Sequence, residues 1–206
     1  MSELLEEILS RENMTQAYKR VIAKKGASGV DGITTEEVKD YLIENWEEIR
    51  EQIRNRKYKP QPVRRVEIPK PNGGVRNLGI PSVVDRIIEQ AIAQKLTPIA
   101  EPLFSEYSYG FRPKRRAQQA VIKLLEHLND GYTYIVDIDL EKFFDNVPQD
   151  KLMYLVHKII KDGDTESLIF KYLKAGVMVQ GKYEDTEKGT PQGGKPVSAL
   201  VKHYAQ

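Results

Sequence analysis

Two aspartates stand two positions apart in the segment Tyr132–Leu140, which is otherwise mostly apolar. The segment predicts a β-strand, and because successive side chains of a strand point to opposite faces, Asp137 and Asp139 share one face. Unpaired carboxylates are unfavourable inside a core, so this pair must face solvent, a basic partner or a metal ion. Mg²⁺ prefers such oxygen ligands, since it keeps several waters and is completed by substrate phosphates. The alternative is a solvated or salt-bridged pair at a strand end.

Positive charge is concentrated in one central block. The whole chain has 32 Lys and Arg against 30 Asp and Glu, a net charge of +2. Residues 1–53 carry seven basic against twelve acidic residues, whereas residues 54–86 carry nine against two. Because the central block interleaves its cations with tyrosine, prolines and β-branched residues, it predicts a surface that meets phosphates. The alternative is an exposed basic hairpin whose charge only keeps it soluble.

Five sequence blocks resemble, in the same order, the group II intron-encoded reverse transcriptases, the maturase family. The block YIVDIDLEKFFDNVPQDKL is similar to the strand and helix that carry the family's first catalytic aspartate. The others are similar to the N-terminal extension motif, the fingers hairpin with its following helix, the next fingers block, and the glycine-bearing motif over primer and nucleotide; they lie at 26–34, 63–92, 108–120 and 188–194. The resemblance covers nearly the whole chain.

The resemblance implies RNA-directed DNA polymerase activity by two-metal nucleotidyl transfer. One ion would activate the primer 3′-hydroxyl, and the other would neutralise charge on the leaving pyrophosphate. Asp139 matches the family's catalytic aspartate and Mg²⁺ ligand, and the Leu140 backbone carbonyl is a further implied ligand. Asp137 is then a supporting or solvated carboxylate. The implied substrates and partners are dNTP, a DNA primer, an RNA template and intron RNA.

Four residues match the family's nucleotide-binding positions. Lys70 and Arg76 flank the hairpin turn and correspond to fingertip residues that grip the triphosphate. Phe144 matches the bulky residue beneath the incoming sugar, which would clash with a 2′-hydroxyl. Gln192 matches the residue over the nucleotide and the template base.

Two basic clusters are the predicted contacts with template RNA. Arg64 and Arg65 are adjacent on a predicted strand, so they point opposite ways and one of them can be merely solvated. The second cluster follows the Gly-Phe-Arg-Pro segment, with an ordinary surface cluster as the alternative. Its members are Arg112, Lys114, Arg115 and Arg116.

The elements that must position these residues form an α+β fold, with helices around a small antiparallel sheet. An Asn-Gly turn between two short extended runs is a strong hairpin signal, and apolar residues at three- and four-residue spacing indicate the helices. The predicted strands are Val63–Pro69, Val75–Ile80 and Tyr132–Leu140, and the predicted helices fall within 1–26 and at 38–53, 82–100, 117–129 and 151–161.

By resemblance this is the fingers of a right-hand polymerase with an incomplete palm. Residues 1–53 form a helical N-terminal extension, 54–131 the fingers with the basic hairpin, and 132–206 a partial palm without the family's Tyr-x-Asp-Asp motif. One aspartate cannot hold two divalent ions against their hydration, so the chain alone is predicted not to polymerise. The alternatives are a non-catalytic RNA-binding maturase module, or a related reverse transcriptase of the retron, diversity-generating or CRISPR-associated type.

Composition excludes several classes of site. The chain has no cysteine, so disulfides, Cys-ligated zinc, iron–sulfur clusters and thiol nucleophiles are absent. The N-terminal residues are acidic and unlike a signal peptide, and the apolar runs are short, so the prediction is a cytoplasmic protein without a membrane partner. A homodimer through the N-terminal helices is one hypothesis for the oligomeric state.

Overall fold

The computed structural model describes residues 2–71, 73–110, 112–140 and 142–190. These residues form eight α-helices and four β-strands, in an order that alternates helical and extended stretches. The helices are α1 Glu3–Ile8, α2 Arg11–Ile22, α3 Val38–Arg54, α4 Val83–Ala100, α5 Ala117–Asn129, α6 Phe143–Asn146, α7 Gln149–Ile160 and α8 Gly163–Leu173. The strands are β1 Val63–Pro69, β2 Val75–Ile80, β3 Val177–Val179 and β4 Lys182–Glu184.

The four strands form one sheet in the order β2-β1-β3-β4. β1 and β2 are an antiparallel hairpin whose register runs from Arg64 opposite Ile80 to Pro69 opposite Val75, as the Asn-Gly turn predicts. β3 pairs with β1 in parallel and with β4 antiparallel. The α+β prediction is confirmed, but the sheet is mixed rather than wholly antiparallel because α8 returns the chain alongside the start of β1.

Side-chain caps set several helix boundaries. Ser10 separates α1 from α2 and caps α2 by accepting a hydrogen bond from the Asn13 amide at 3.4 Å. A capping box precedes α3: the Thr34 amide donates to Glu37 Oε2 at 3.1 Å, and the Glu37 amide donates to Thr34 Oγ1 at 3.3 Å. These bonds satisfy backbone donors that a helix start leaves open, so local sequence is enough to place these boundaries.

The centre of the core is α4. It buries an apolar residue on nearly every turn and packs against α1, α2, α3 and α7. Its buried apolar residues are Val83, Val84, Ile87, Ile88, Ala91, Ile92, Leu96 and Ala100. Neither α4 nor any other helix in the described ranges is long and apolar enough to cross a membrane.

A buried carboxylate ties α4 to two other parts of the chain. Asp85 is 1% exposed, and its Oδ1 accepts hydrogen bonds from the Tyr58 hydroxyl at 2.7 Å and the Tyr172 hydroxyl at 3.2 Å. Its Oδ2 accepts from Ser82 Oγ at 2.8 Å and from the Gln61 amide at 3.0 Å. Burial raises the pKa of Asp85, while these hydrogen bonds favour the carboxylate. Asp85 therefore holds the segment before β1 and the end of α8 on one helix.

The loop before α3 also docks on α4. A Cβ added to Gly29 would lie 2.6 Å from the Cα of Ser82 and 2.7 Å from its amide nitrogen. Since real Cβ atoms do not approach backbone so closely, only glycine fits at this position. The resemblance block at 26–34 therefore has a structural role, which is to seat the N-terminal helices beside the start of α4.

The predicted strand Tyr132–Leu140 is not formed. Its residues are irregular and fully in the exposed class; Tyr134 is 96% exposed and Val136 81%. A strand needs a neighbour to receive its backbone hydrogen bonds, and no described segment pairs with this one. The helix predicted at 117–129 does form, as α5, but it buries no residue. Alternation along 132–140 predicts a strand, but it cannot supply a pairing partner.

We predict that Asp85→Leu strongly destabilises the chain. The substitution would leave the buried hydroxyls of Tyr58 and Tyr172 without their acceptor, which we expect to lower the free energy of unfolding by about 3–5 kcal/mol. Urea denaturation measures this value. The control is Asp130→Asn, an exposed aspartate at the end of α5, which should change stability by less than about 0.5 kcal/mol. Equal effects for the two variants would show that Asp85 does not hold the fold together.

Candidate nucleotide and nucleic-acid site

Two segments that are far apart in sequence are joined by backbone hydrogen bonds. The Thr190 amide donates to the Phe144 carbonyl at 2.7 Å, and the Gly189 amide donates to the Val147 carbonyl at 2.8 Å. Lys188 Nζ also reaches Asn146 Oδ1 at 3.4 Å. The first residues of the 188–194 block are therefore docked on the Phe-Phe-Asp-Asn turn of α6.

Gly189 is required for this contact. Its φ is +78°, a left-handed conformation that favours glycine. A Cβ at this position would come within 2.6 Å of the Asp145 carbonyl oxygen and 2.9 Å of the Phe144 carbonyl oxygen. Backbone–backbone docking this close has no room for a side chain, so the glycine in the motif has a specific geometric cause.

The buried amide of Gln149 holds the same loop from the other side. Gln149 is 4% exposed, and its Nε2 donates to the Leu173 carbonyl at 3.1 Å and the Gly189 carbonyl at 3.0 Å, with a longer bond of 3.4 Å to the Thr186 carbonyl. The sequence analysis did not single out Gln149. Its position directly after Pro148, at the start of a helix, carries no signal that the side chain reaches so many partners.

These contacts close a cleft of about 340 Å³ beside the base of the β1–β2 hairpin. One wall is the hairpin, with Arg65 on β1 and Asn77 to Gly79 on β2, and the other wall is formed by Lys142, Asp145 and the loop 186–190. Arg65 also lies 3.5 Å from Glu184 on β4. Arg65, Lys142 and Lys188 thus place three cations around one polar cleft, which suits a ligand that carries phosphates. Lys142 and Lys188 were not predicted as site residues.

Phe144 does not itself line the cleft, but it lies on the α6 turn directly before the lining residue Asp145. Lys142, two residues before Phe144, has a left-handed φ of +46°. The Phe144 ring packs edge-on against the ring of Phe143, with the centroids 5.6 Å apart. Phe144 is half-buried and contacts the core. The predicted nucleotide-binding residue Gln192 lies outside the described residues, just beyond the docked Thr190.

The other predicted nucleotide-binding residues lie at the far end of the hairpin. Lys70 and Arg76 are exposed beside the turn, where the Lys70 amide donates to the Gly74 carbonyl at 3.0 Å. The rise of a strand puts Lys70 roughly 17 Å from Arg65, and it puts Arg76, which lies opposite Ile68, roughly 10 Å along the hairpin from Arg65. Arg64 and Arg65 are half-buried and adjacent on β1, so they point to opposite faces as predicted. The hairpin thus carries cations at both its base and its tip.

The structure corrects the prediction for Arg112. Its side chain is only 6% exposed and is paired with Glu101, with Arg112 Nη2 at 2.9 Å and Nε at 3.0 Å from Glu101 Oε1. Nη1 donates to the Ser105 and Ser108 carbonyls. The guanidinium also stacks 5.2 Å from the centroid of the Phe104 ring. With its donors used internally, Arg112 organises the turn after α4 rather than meeting RNA.

The rest of that basic cluster is on the surface. Lys114 and Arg116 are exposed, and Lys114 has a left-handed φ of +61°. Arg115 is half-buried, donates to the Glu106 carbonyl at 3.1 Å and lies over the Tyr109 ring. Lys114 and Arg116 are therefore the members of the cluster that are best placed to meet a strand of RNA.

Asp139 is exposed in the irregular segment before α6 and does not line the cleft. Its carboxylate and the Leu140 carbonyl are ligand types that Mg²⁺ prefers. However, no three Asp, Glu, His or Cys side chains in the described ranges lie close enough together to hold a metal ion. The described residues therefore do not by themselves fit a two-metal site.

Comparison with known proteins identifies the family of this chain. The family described as reverse transcriptase (RNA-dependent DNA polymerase) matches residues 68–206. That range covers the hairpin from Ile68 onward, most of the residues that line the cleft, and Asp139. Members of this family generally use divalent metal ions.

Two bacterial proteins are similar to this chain in sequence. The chain is 36% identical over 200 residues to Protein YkfC of Escherichia coli (strain K12), covering 94% of this chain and 52% of that protein. It is 37% identical over 179 residues to the group II intron-encoded protein LtrA of Lactococcus lactis subsp. cremoris, covering 86% of this chain and 30% of LtrA.

The fold is also similar to a chain of a solved structure titled as a partial Cas6-RT-Cas1–Cas2 complex. The TM-score is 0.67 at 20% identity, covering 99% of this chain and 34% of that one. The chain thus spans about half the length of YkfC and about a third or less of the other two proteins. The matched family shows that this chain belongs to the reverse transcriptase family, and its relatives include group II intron-encoded proteins and maturases.

Proposed function

We propose that this chain forms the nucleotide-facing part of an RNA-directed DNA polymerase that acts on a group II intron. The observation that carries the proposal is the docking of Gly189 and Thr190 on the carbonyls of Val147 and Phe144. It places a cationic cleft next to the α6 turn that carries Phe144, the residue that the resemblance assigns to the incoming sugar. The proposed substrates are a dNTP, a DNA primer and an RNA template.

The cations of the cleft would bind the triphosphate. Arg65, Lys142 and Lys188 surround the cleft, and each is a charged donor to phosphate oxygens. Lys70 and Arg76 at the exposed hairpin tip would close over the nucleotide, because a hairpin can swing about its base as a unit. The supporting geometry is the sheet, in which β1 is anchored between β2 and β3.

Phe144 would select the sugar. Its backbone is fixed by the bond from the Thr190 amide, and its ring is held against Phe143 and the core. A ring that cannot move aside would exclude a ribose 2′-hydroxyl and so favour deoxynucleotides. Gln192, which follows the docked loop, is the proposed contact above the nucleotide.

RNA is the proposed polyanionic partner. Arg64 on the hairpin, together with Lys114, Arg115 and Arg116, would contact the template backbone, with intron RNA as the natural source of that template. In the proposed domain organisation, residues 1–53 form an N-terminal extension, 54–131 the fingers and 132–206 part of the palm. A cytoplasmic location is proposed for this activity.

Mg²⁺ is the proposed cofactor, with Asp139 and the Leu140 carbonyl as the ligands that this chain would contribute. When bound, the ions would supply charge neutralisation at the reacting phosphates. Because the described residues do not complete that site, no catalytic step is assigned to them. The same observation favours the second candidate function, an RNA-binding maturase module that does not catalyse DNA synthesis.

We predict that Lys142→Gln with Lys188→Gln weakens binding of a fluorescent deoxynucleoside triphosphate by tenfold or more. Each charged hydrogen bond to phosphate contributes roughly 1.5–3 kcal/mol, and about 1.4 kcal/mol corresponds to a factor of ten. Fluorescence anisotropy with the purified 206-residue chain measures the affinity. The matched control, Lys151→Gln with Lys158→Gln, removes the same charge from the exposed surface of α7. Equal loss in both double variants would contradict specific binding in the cleft.

We expect Phe144→Val to reduce the preference for dCTP over CTP in competition binding, bringing the two affinities close to parity. A smaller side chain would leave space for the 2′-hydroxyl. Phe143→Val is the control, because it shortens the neighbouring ring without opening the proposed sugar contact. If both variants shifted the preference equally, general loosening of α6 would explain the change and the assignment to Phe144 would be wrong.

The 206-residue chain by itself should not extend a DNA primer on an RNA template in the presence of Mg²⁺. The reason is that its described residues bring no three carboxylates together. A gel-based primer extension assay with labelled primer checks this. Extension that disappears in Asp139→Asn would show that the chain alone is a polymerase and would also exclude the non-catalytic module.

A further inference from the structure

A second basic cleft, of about 750 Å³, lies on the outside of α8, and none of the site residues discussed above lines it. Its cations are contributed by the segment 56–59 and by two positions on and just after α8, and the ring of Tyr183 on β4 and two prolines complete the walls. The basic residues that line it are Arg56, Lys57, Lys59, Lys171 and Lys174. We call this surface the α8 cleft.

The cations of the α8 cleft are held on a rigid support. Lys171 Nζ donates to the carbonyls of Arg56 and Tyr58, the latter at 3.0 Å, which fixes the 56–59 segment against α8. The Tyr58 side chain is buried and bonded to Asp85. Arg56 adopts a left-handed φ of +54° and is paired with Asp164 at 2.6 Å. The segment is therefore prearranged before any ligand arrives, which lowers the entropy lost on binding.

Like charges are crowded in this cleft. Burial lowers the pKa of Lys171, and the positive charges of Lys59 and Arg56 lower it further. Lys57 and Lys59 are exposed, and within the described part of the chain neither is paired with an acidic side chain. Cations that repel one another on a fixed scaffold are stabilised when an anion binds between them.

We infer that the α8 cleft binds the phosphate backbone of an RNA strand, with Lys57, Lys59 and Lys174 as phosphate contacts and the Tyr183 ring as a face for a base. A row of lysines spaced along a cleft suits a polymer with repeated single charges, and an exposed aromatic ring beside the cations suits a nucleotide base rather than an acidic side chain. The inference rests on the proposed function for its choice of RNA, because the chain is proposed to work on an RNA template.

The α8 cleft is separate from the cleft that Arg65, Lys142 and Lys188 surround, which we call the nucleotide-facing cleft. The α8 cleft would therefore hold RNA that is not being copied. Β1 begins at Val63, directly after the prolines of the α8 cleft, and continues to Arg64 and Arg65. A strand bound here could therefore continue along the basic face of the hairpin.

The test compares three forms of the 206-residue chain: wild type, Lys57→Gln with Lys59→Gln, and the control Lys151→Gln with Lys158→Gln. Binding of a labelled single-stranded RNA is measured by anisotropy from 50 to 200 mM salt. Removing two phosphate contacts should flatten the slope of log affinity against log salt by about 1.4 and lower the affinity roughly tenfold at 50 mM salt. The control should leave both values close to wild type. Thermal melting checks that the variants are folded. We expect them to fold, because Lys57 and Lys59 are exposed.

The remaining outcomes each overturn a distinct claim. If the wild type binds RNA and the Lys57/Lys59 variant has the same slope, the α8 cleft inference is wrong while the proposed function stands. If the wild type binds no RNA, both are wrong. Binding of polyglutamate and of single-stranded DNA of the same sequence is measured in parallel. If the Lys57/Lys59 substitutions weaken binding of one of these ligands and leave RNA binding unchanged, the partner is not RNA. An additional Tyr183→Ala variant should weaken RNA binding several-fold without changing the salt slope, and a changed slope would contradict the stacking role.

Discussion

The buried carboxylate of Asp85 is the interaction on which the rest of the structure depends. A carboxylate in a protein interior is unfavourable unless its oxygens are satisfied, and here Tyr58, Tyr172, Ser82 and the Gln61 amide all donate to it. Burial raises the pKa of both tyrosines, with the Asp85 charge acting in the same direction, so their hydroxyls stay protonated and remain donors. The polar cluster thus specifies one arrangement of its parts within a core that is otherwise apolar.

Three of the partners of Asp85 lead to surfaces with a proposed function. Tyr58 lies inside the basic 56–59 segment, and Gln61 comes just before β1 and the hairpin. Tyr172 is near the end of α8, which continues into β3, the strand that pairs with β1. Fixing these points on α4 sets the hairpin base opposite α6 and the docked loop. The nucleotide-facing cleft and the α8 cleft therefore share one anchor although they open on different parts of the surface.

Close backbone packing fixes the loop that forms one wall of the nucleotide-facing cleft, as Asp85 fixes the parts of the core. Gly189 approaches the carbonyls of α6 so closely that no side chain fits, and Gln149 binds the carbonyls of the same loop from within the core. By contrast, α5 and the 132–140 segment expose apolar side chains, including Tyr134 and Val136. The described chain is therefore well packed around α4 and α8 and open on the face that carries Asp139.

Sequence patterns alone determined most of the helices, the basic hairpin and the concentration of charge in residues 54–86. These features depend on nearest neighbours along the chain: caps such as Ser10, the three- and four-residue spacing of apolar positions, and the Asn-Gly turn. The resemblance of several blocks identified the family, which the comparison confirms. The roles of Lys70, Arg76 and Phe144 in nucleotide binding remain predictions.

Only the tertiary structure decided which residues meet across long sequence separations. Arg112 was predicted to contact RNA, but the carboxylate of Glu101 and nearby carbonyls take up its donors. Alternation in 132–140 indicated a strand, yet no partner strand is described to complete the ladder. Conversely, Gln149, Lys142 and Lys188 carry no local signal, because their importance comes from carbonyls and a cleft that the fold brings to them. Local patterns determine the elements, whereas hydrogen-bond partners and burial are properties of the assembled chain.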